Sequence, residues 1–375
     1  MAKKEEQLDV VIVGGGAAGL GMAAVLRDLG IERFVVLERS AIGASFLRWS
    51  KQTRFITPSF NSNQFGSLDL NAVCLHTSPA YSVGTEHPSG QDYADYLRGV
   101  AKYFELPVET GVEVQSVVRR RVGRGFRVQT SGGVYDTRFV IWAAGEFQYP
   151  HTNGFPGAEL CVHSSKVTSW PELNGSERVI IGGAESGVDG AVALADAGRR
   201  AVVLDAGAPW DRHGPDPSQL LSPFTKARLE KAVAAGRVDL RGERRVTKVS
   251  AADEGFSVEL ENGETIAAAE PPILASGFAA SPRLIADLFH WRGDGFPSLT
   301  ESDESTRTRG LFLVGPQVRQ DDIIFCFIYK FRQRFAVVAN QIARRMRVSV
   351  KPLEEYRKNG MFLDDLSCCG DDCAC

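Results

Sequence analysis

Apolar and polar positions along the chain mark out one pattern twice. In "LDVVIVGGGAAGLGMAAVLRDLG" the apolar run at 10–13 is short and unbroken, which predicts a strand covered on both faces. A helical period follows through Leu20, Ala23, Ala24 and Leu26 and stops at Gly30, and a second apolar run, "RFVVLE", ends at Glu38. The order returns in "RVIIGGAESGVDGAVALADAGRRAVVLD": a strand at 179–181, a helix stopping at Gly198, and a strand ending at Asp205. Ser89 predicts the N-cap of a helix entered at 91–96. The segment 325–346 reads as a helix apolar on nearly every face in its first half, as expected of an element buried between domains. "RFITPSFNSNQFGSLDLNAV" (54–73) has neither period and reads as a long, functional loop.

Between the first strand and helix stand Gly14, Gly16 and Gly19, spaced G-x-G-x-x-G. Gly14 permits the turn, Gly16 admits a diphosphate to the backbone, and Gly19 lets helix and strand pack closely. Ala17 and Ala18 complete a loop whose N–H groups face the phosphate with the positive end of the helix dipole. Glu38 stands where an acid accepts from the adenosine ribose, with Arg39 beside it. The second loop carries Gly182, Ala184, Glu185, Ser186 and Gly187 and has Asp205 at its strand tip. Ala184 narrows the diphosphate approach. Asp205 favours a free ribose hydroxyl, hence NADH, unless Arg199, Arg200 or Arg212 compensates for a 2′-phosphate.

The chain has 375 residues, enough for two domains, and its 43% apolar and 24% charged content is ordinary for globular proteins. A net charge of −3 argues against nucleic acid or an anionic membrane as partner. No apolar stretch suggests a signal peptide or a membrane span. Cys74, Cys161 and Cys326 read as reduced thiols of a cytoplasmic protein.

These motifs resemble the two-dinucleotide-binding-domain flavoproteins, a group with thioredoxin-reductase-like enzymes, bacillithiol disulfide reductases, flavin-containing monooxygenases and cation-transport flavoproteins. The resemblance implies an α/β fold of two Rossmann-like domains, the NAD(P) domain inserted into the FAD domain, with FAD and NADH or NADPH as cofactors. It gives limits of 1–172 and 281–360 for the FAD domain, 173–280 for the NAD(P) domain, and 361–375 for a flexible cysteine-rich tail. "FVIWAAGEFQYP" (139–150), with Ala144 and Gly145, resembles the crossover leaving the FAD domain, and "PILASGF" (272–278), with Gly277, its NAD(P) counterpart. "TRGLFLVGP" (308–316), with Gly315, resembles the late FAD motif, and "ERSAIGASFLRW" (38–49) places Phe46 and Trp49 near the flavin. Pro316 departs from the usual Gly-Asp ending, so Asp321 or Asp322 is a substitute ribityl contact. Ala17 and Ala18 stand where bacillithiol disulfide reductases carry a cysteine, and there is no internal Cys-x-x-Cys. The monooxygenase fingerprint is mis-spaced around His163 and Trp170, which read as a linker residue and a packing aromatic.

Arg54, Thr57, Ser59 and Phe60 are the flavin- or substrate-facing candidates of the long loop, with a plain surface loop as the alternative; His87 reads as a mouth-lining or capping residue. Cys326 and Tyr329 read as core, and Lys330, Arg332 and Arg334 as solvated or salt-bridged. The chain ends "CCGDDCAC", and Cys368, Cys369, Cys373 and Cys375 have few apolar neighbours to pack against. Three readings stand: a mobile redox relay that passes electrons from the flavin to an outside disulfide or thiol-bound metal, a grip for a thiophilic metal, or a passive end. The leading reading is an FAD-dependent NAD(P)H oxidoreductase with a small-molecule or protein disulfide or thiol acceptor. The alternatives are a flavin-dependent monooxygenase acting on a small molecule, and a metal-binding or sensing protein on a flavoprotein scaffold. The resemblance also allows a homodimer.

Overall fold

The computed structural model describes residues 8–61, 68–120, 125–214 and 216–367. Strand Leu8–Val13, buried from Asp9 onward, runs through the middle of a seven-stranded sheet. Its parallel neighbours are Phe34–Glu38 and the long strand Gly133–Trp142, and Val108–Thr110 extends the sheet beyond Phe34–Glu38. The unbroken Val/Ile content of these strands follows from cover on both faces. Helices Ala17–Asp28 and Phe335–Met346 pack together on this sheet, with Leu20, Ala24, Phe335 and Val338 fully buried.

Gly133–Trp142 serves two layers. Its first half pairs antiparallel with Phe126–Thr130, whose alternating burial is that of a strand with one wet face. Its buried second half takes Leu311–Leu313 as a parallel neighbour. The first sheet is therefore completed by residues on either side of a long excursion.

That excursion holds a second parallel sheet, in the order Val238–Arg241, Arg200–Leu204, Glu177–Ile181, Ile273–Leu274, Val162–His163. Helices Glu185–Asp196 and Pro223–Ala234 pack against it, and an antiparallel meander, Val246–Ala251, Phe256–Leu260 and Thr265–Ala268, forms its own layer. Two mixed layers of this kind are the doubly wound, nucleotide-binding architecture with one unit inserted in the other. Val162–His163 pairs in the second sheet although it precedes residue 173, because a two-residue strand carries no readable period. The crossovers are tied to each other: His151 N–H donates to Gly277 O at 2.9 Å and Ala279 N–H to Tyr149 O at 2.7 Å.

The C-terminal elements differ from expectation. The 325–346 segment is a helix only from Ile328, with a 3₁₀ turn at Arg332–Arg334, and Ile323–Ile324 pairs instead with Arg319–Gln320. The flexible tail expected from 361 does not begin there. Met361 is fully buried, Leu363 N–H donates to Gln333 O at 3.1 Å, and Arg357 pairs with Asp364 at 2.8 Å. Cys368, Cys369, Cys373 and Cys375 lie outside the described residues.

Candidate functional site

The three glycines of the first loop have three distinct surroundings. Gly14 has φ of +111°, and a Cβ there would meet Ala143 O at 2.5 Å. A Cβ on Gly19 would come within 1.9 Å of Gly14 O, so only glycine lets the helix start against the strand end. A Cβ on Gly16 would meet nothing within 4 Å. The turn, the close packing and the open approach thus fall on the residues read for them.

The second loop reproduces this arrangement. Gly182 has φ of +107° and its Cβ would lie 2.4 Å from Ala275 O; that of Gly187 would lie 1.9 Å from Gly182 O. Each strand-tip acid braces its own loop. Glu38 accepts from Gly15 N–H and Ser40 N–H, both at 2.8 Å, and Asp205 from Gly183 N–H and Gly207 N–H, both at 2.7 Å. Ala184 takes the place of Gly16 as the N-cap of its helix, in the same extended conformation.

The loops open onto a shared cleft of about 900 Å³. Gly14, Gly16, Ala17, Ala18, Glu38, Arg39, Phe46, Trp49, Thr57, Ala144 and Gly145 line it from the first domain, and Glu185 and Ser186 from the second. Gly19, Gly182, Gly187, Gly277 and Gly315 shape the walls from behind: Gly315 packs on the Ala18 methyl, and the Gly277 carbonyl accepts from His163. The aromatic run closes as a cluster, with Phe46, Trp49 and Phe55 in mutual ring contact and Tyr93 behind. Arg54 lines the cleft, while Ser59 is buried as an acceptor for Asn71 and Phe60 is exposed.

Three expectations are corrected. Asp321 and Asp322 form the exposed turn of the Arg319–Ile324 hairpin and line a separate hollow with Arg292, so they stand away from the cleft. Arg332, read as solvated or salt-bridged, is buried and serves backbone carbonyls of Asp69 and Ala72. Arg334 does form the salt bridge read for it, a fully buried two-point pair with Asp303, and also donates to Leu363 O and Glu301 O. His163 is a buried brace rather than a linker residue. Gly277 O can only accept and Ser165 N–H only donate, so His163 carries its proton on Nε2. Burial holds its pKa below the ordinary value.

Of the further residues in and around the cleft, Arg48, Glu146 and Asp189 were not singled out from sequence, whereas Glu185, Lys330 and His87 were. Arg48 stands beside Arg39 and over Phe147, at 5.3 Å from the ring centroid. Glu146, directly after the A-x-G crossover, accepts from buried Gln317, and burial raises its pKa. Asp189 accepts from Thr53 across the domain boundary at 2.9 Å and from Arg228 at 3.0 Å; burial raises its pKa too. Glu185 is held by Ser222 N–H and by Thr225 Oγ1 at 2.6 Å, and burial raises its pKa. Lys330 bridges the domains to Asp216 at 2.7 Å and Ser218 at 2.8 Å, and His87 stacks on Phe224 at 3.8 Å. Of Arg48, Glu146 and Asp189, only Glu146, at the position after A-x-G, carried a sequence signal; the other two are placed by tertiary contacts.

The first cradle fits FAD. Open space over Gly16, the N–H groups of the 14–18 loop, Glu38 for a ribose and Arg39 with Arg48 for phosphate charge are the donor set a flavin dinucleotide needs. The second fits a nicotinamide dinucleotide by the same geometry, with a tighter diphosphate approach at Ala184. Among the described residues no group of three or more His, Cys, Asp or Glu is arranged to hold a metal, and no helix is long and apolar enough to cross a membrane.

Known proteins share this arrangement. Residues 11–315 match the family model described as pyridine nucleotide-disulphide oxidoreductase. An uncharacterized CzcO-like oxidoreductase of Geobacillus kaustophilus is 28% identical over 204 residues, 53% of this chain and 54% of that protein, so the match spans about half the relative's length. The bacillithiol disulfide reductase Bdr of Staphylococcus aureus superposes with a TM-score of 0.73 at 22% identity, covering 91% of this chain and 99% of that one. A flavin-containing monooxygenase from Stenotrophomonas maltophilia gives 0.71 at 18%, covering 91% and 99%. With two glycine cradles meeting in one cleft, the chain belongs to the pyridine nucleotide-disulphide oxidoreductase family and is a flavin-dependent oxidoreductase that uses FAD and NAD(P)H.

Proposed function

We propose that this enzyme oxidises NADH and delivers the electrons to a disulfide or a thiol-bound metal, through the tail cysteines Cys368, Cys369, Cys373 and Cys375. The observation that carries the reading is the shared cleft: residues of both glycine loops line one cavity, so two coenzymes held there approach each other. Gly14 to Ala18, Glu38, Arg39 and Arg48 would hold FAD, which supplies two-electron acceptance and release. Ser186 and the loop around Gly182 and Gly187 would orient the nicotinamide coenzyme, with Asp205 at its ribose. NADH is favoured over NADPH because two of the three arginines able to offset Asp205 are engaged elsewhere. Arg199 donates to Pro171 O at 2.8 Å, and Arg200 pairs with Glu177 at 3.6 Å.

A disulfide acceptor is supported by the family match and by the bacillithiol disulfide reductase likeness. Ala17 and Ala18 fill the loop in which those reductases carry a cysteine, so the thiols must come from elsewhere in the chain, and the tail offers four. The compartment we assign is the cytoplasm, with free Cys74, Cys161 and Cys326 kept reduced. The second reading, a monooxygenase, rests on one observation: the cleft wall is rich in aromatic rings, Phe46, Trp49, Phe55, Phe147, Phe278 and Phe327, which suits an apolar small molecule. Truncation after Leu366 decides. The relay requires disulfide turnover to be lost while NADH still bleaches the flavin anaerobically. Unchanged disulfide turnover rejects it, and substrate-dependent oxygen uptake with little peroxide release selects the monooxygenase.

A further inference from the structure

Cys326 opens into the coenzyme cleft. It lines the cavity beside Phe327 and Ile328, at the start of the last FAD-domain helices, and is an exposed free thiol where the chain's periodicity predicts core. Its surroundings are polar and mostly cationic. Ser218 of the second domain lines the cleft with it, Lys330 and Arg319 stand within electrostatic reach, and Asp216 is the opposing charge, with Tyr329 nearby. Lys330 is held on the same Ser218 and on Asp216, so serine, lysine and thiol converge at the domain boundary.

The wall also carries an unmatched polar atom. Trp170 lines the cleft, is 2% exposed, and its Nε1–H has no partner. Buried polar atoms seldom stay unsatisfied, so the cleft presents a hydrogen-bonding place for a ligand. A thiol open to a ligand cleft, beside cations and a hydroxyl donor, is the setting of a reactive cysteine.

We propose that Cys326 is a disulfide-exchange site for a low-molecular-weight disulfide in the cleft, a role that rests on the disulfide reading above. The Cys326 thiolate attacks one sulfur of R–S–S–R. A Cys326 Sγ–S bond forms, the substrate S–S bond breaks, and RS⁻ leaves to take a proton from water. Cys326 is thereby oxidised to the mixed disulfide and one substrate sulfur is reduced, so atoms and electrons balance. Ser218, Lys330 and Arg319 stabilise the thiolate, against the walls of the cleft and Asp216, which raise the thiol's pKa above its ordinary value. Exchange therefore quickens with rising pH across the alkaline range.

The test uses the full chain purified with its flavin, exposed under native conditions to 2-hydroxyethyl disulfide and then alkylated, digested and mapped by mass spectrometry. The expected result is a mixed-disulfide adduct on the peptide containing Cys326, absent in Cys326→Ser, with Cys74 unmodified as the control for intact folding because it is fully buried. Lys330→Met and, independently, Ser218→Ala should slow adduct formation, about three- to fourfold for each unit by which the thiol's pKa climbs, because the greater nucleophilicity of the remaining thiolate offsets part of its tenfold loss. An adduct confined to the tail cysteines, or none on Cys326 while Cys74 stays protected, overturns the proposal. NADH-linked turnover of the same disulfide is read separately. An adduct without turnover keeps the exchange site and rejects the disulfide-reductase reading; full turnover by Cys326→Ser keeps that reading and rejects the exchange site.

Discussion

Gly16 and Gly19 stand three residues apart in one loop, and substituting them should damage different things. In Gly19→Ala the new Cβ lies 1.9 Å from Gly14 O, about 1.5 Å inside ordinary van der Waals contact. Both sides of that clash are backbone, pinned by strand pairing of Leu8–Val13 with its two neighbours, so no side chain can swing away. The cost belongs at the upper end of the overpacking range, about 3 kcal/mol. For a domain this size that lowers the unfolding midpoint by roughly 6–12 °C. In Gly16→Val the Cβ enters open space, and the residue's φ of −93° suits any side chain. The apoprotein should unfold within about 1 kcal/mol of wild type, the change expected of an N-cap residue. The added methyls instead fill the diphosphate approach. Losing two charge-assisted hydrogen bonds of about 1.5 kcal/mol each weakens FAD binding about 100-fold. The assay pairs flavin absorbance per polypeptide with thermal unfolding of flavin-free protein. Wild-type flavin content in Gly16→Val, or a wild-type midpoint in Gly19→Ala, would refute the assignment of the three glycines.

The ion pair of Arg334 with Asp303 is wholly buried, so Arg334→Met should leave an uncompensated carboxylate and destabilise by about 3–5 kcal/mol in denaturant titration, far more than removal of an exposed pair such as Lys51 with Glu172. His163 has a folded-state pKa below its unfolded one, so its neutral form stabilises the fold above the unfolded value of about 6.5, and that stability is lost as pH falls through it. His163→Gln keeps one donor and one acceptor and should flatten this part of the stability–pH curve. At Asp216, desolvation would raise the pKa, but Lys330 and Ser218 outweigh it and hold it below the ordinary value. That link to the second domain should therefore persist until the pH drops below the usual carboxylate range, and Lys330→Met should remove its pH dependence, as seen by hydrogen exchange at Pro217–Gln219. With Asp205 at the strand tip, KM for NADH should lie below that for NADPH; the reverse order would reject the role given to Asp205.

Both cradles were legible because glycine loops obey local rules: spacing, a positive φ and a helix start are fixed within about ten residues of chain. Phe46 and Trp49, which line the cleft, and Gly315, which packs behind it, were named through motif resemblance, which carries longer-range information than periodicity. What escaped depends on contacts between distant segments. Nothing local distinguishes buried Arg334 from exposed Arg344 one stretch later; Asp303, in another element, makes the difference. Cys326 sits in an apolar run and reads as core, yet the run is broken by the Arg319–Ile324 hairpin and the helix starts only at Ile328, which turns the thiol to the cleft. Asp321 and Asp322 were drawn to the flavin by proximity in sequence to Gly315, but the hairpin carries them away.

Anaerobic titration of the flavin-loaded protein with NADH measures directly whether two coenzymes share one cleft. Loss of the visible flavin band at one equivalent of NADH per flavin is the predicted course, since one hydride carries the two electrons FAD accepts. A flavin band that persists through excess NADH and NADPH would contradict it.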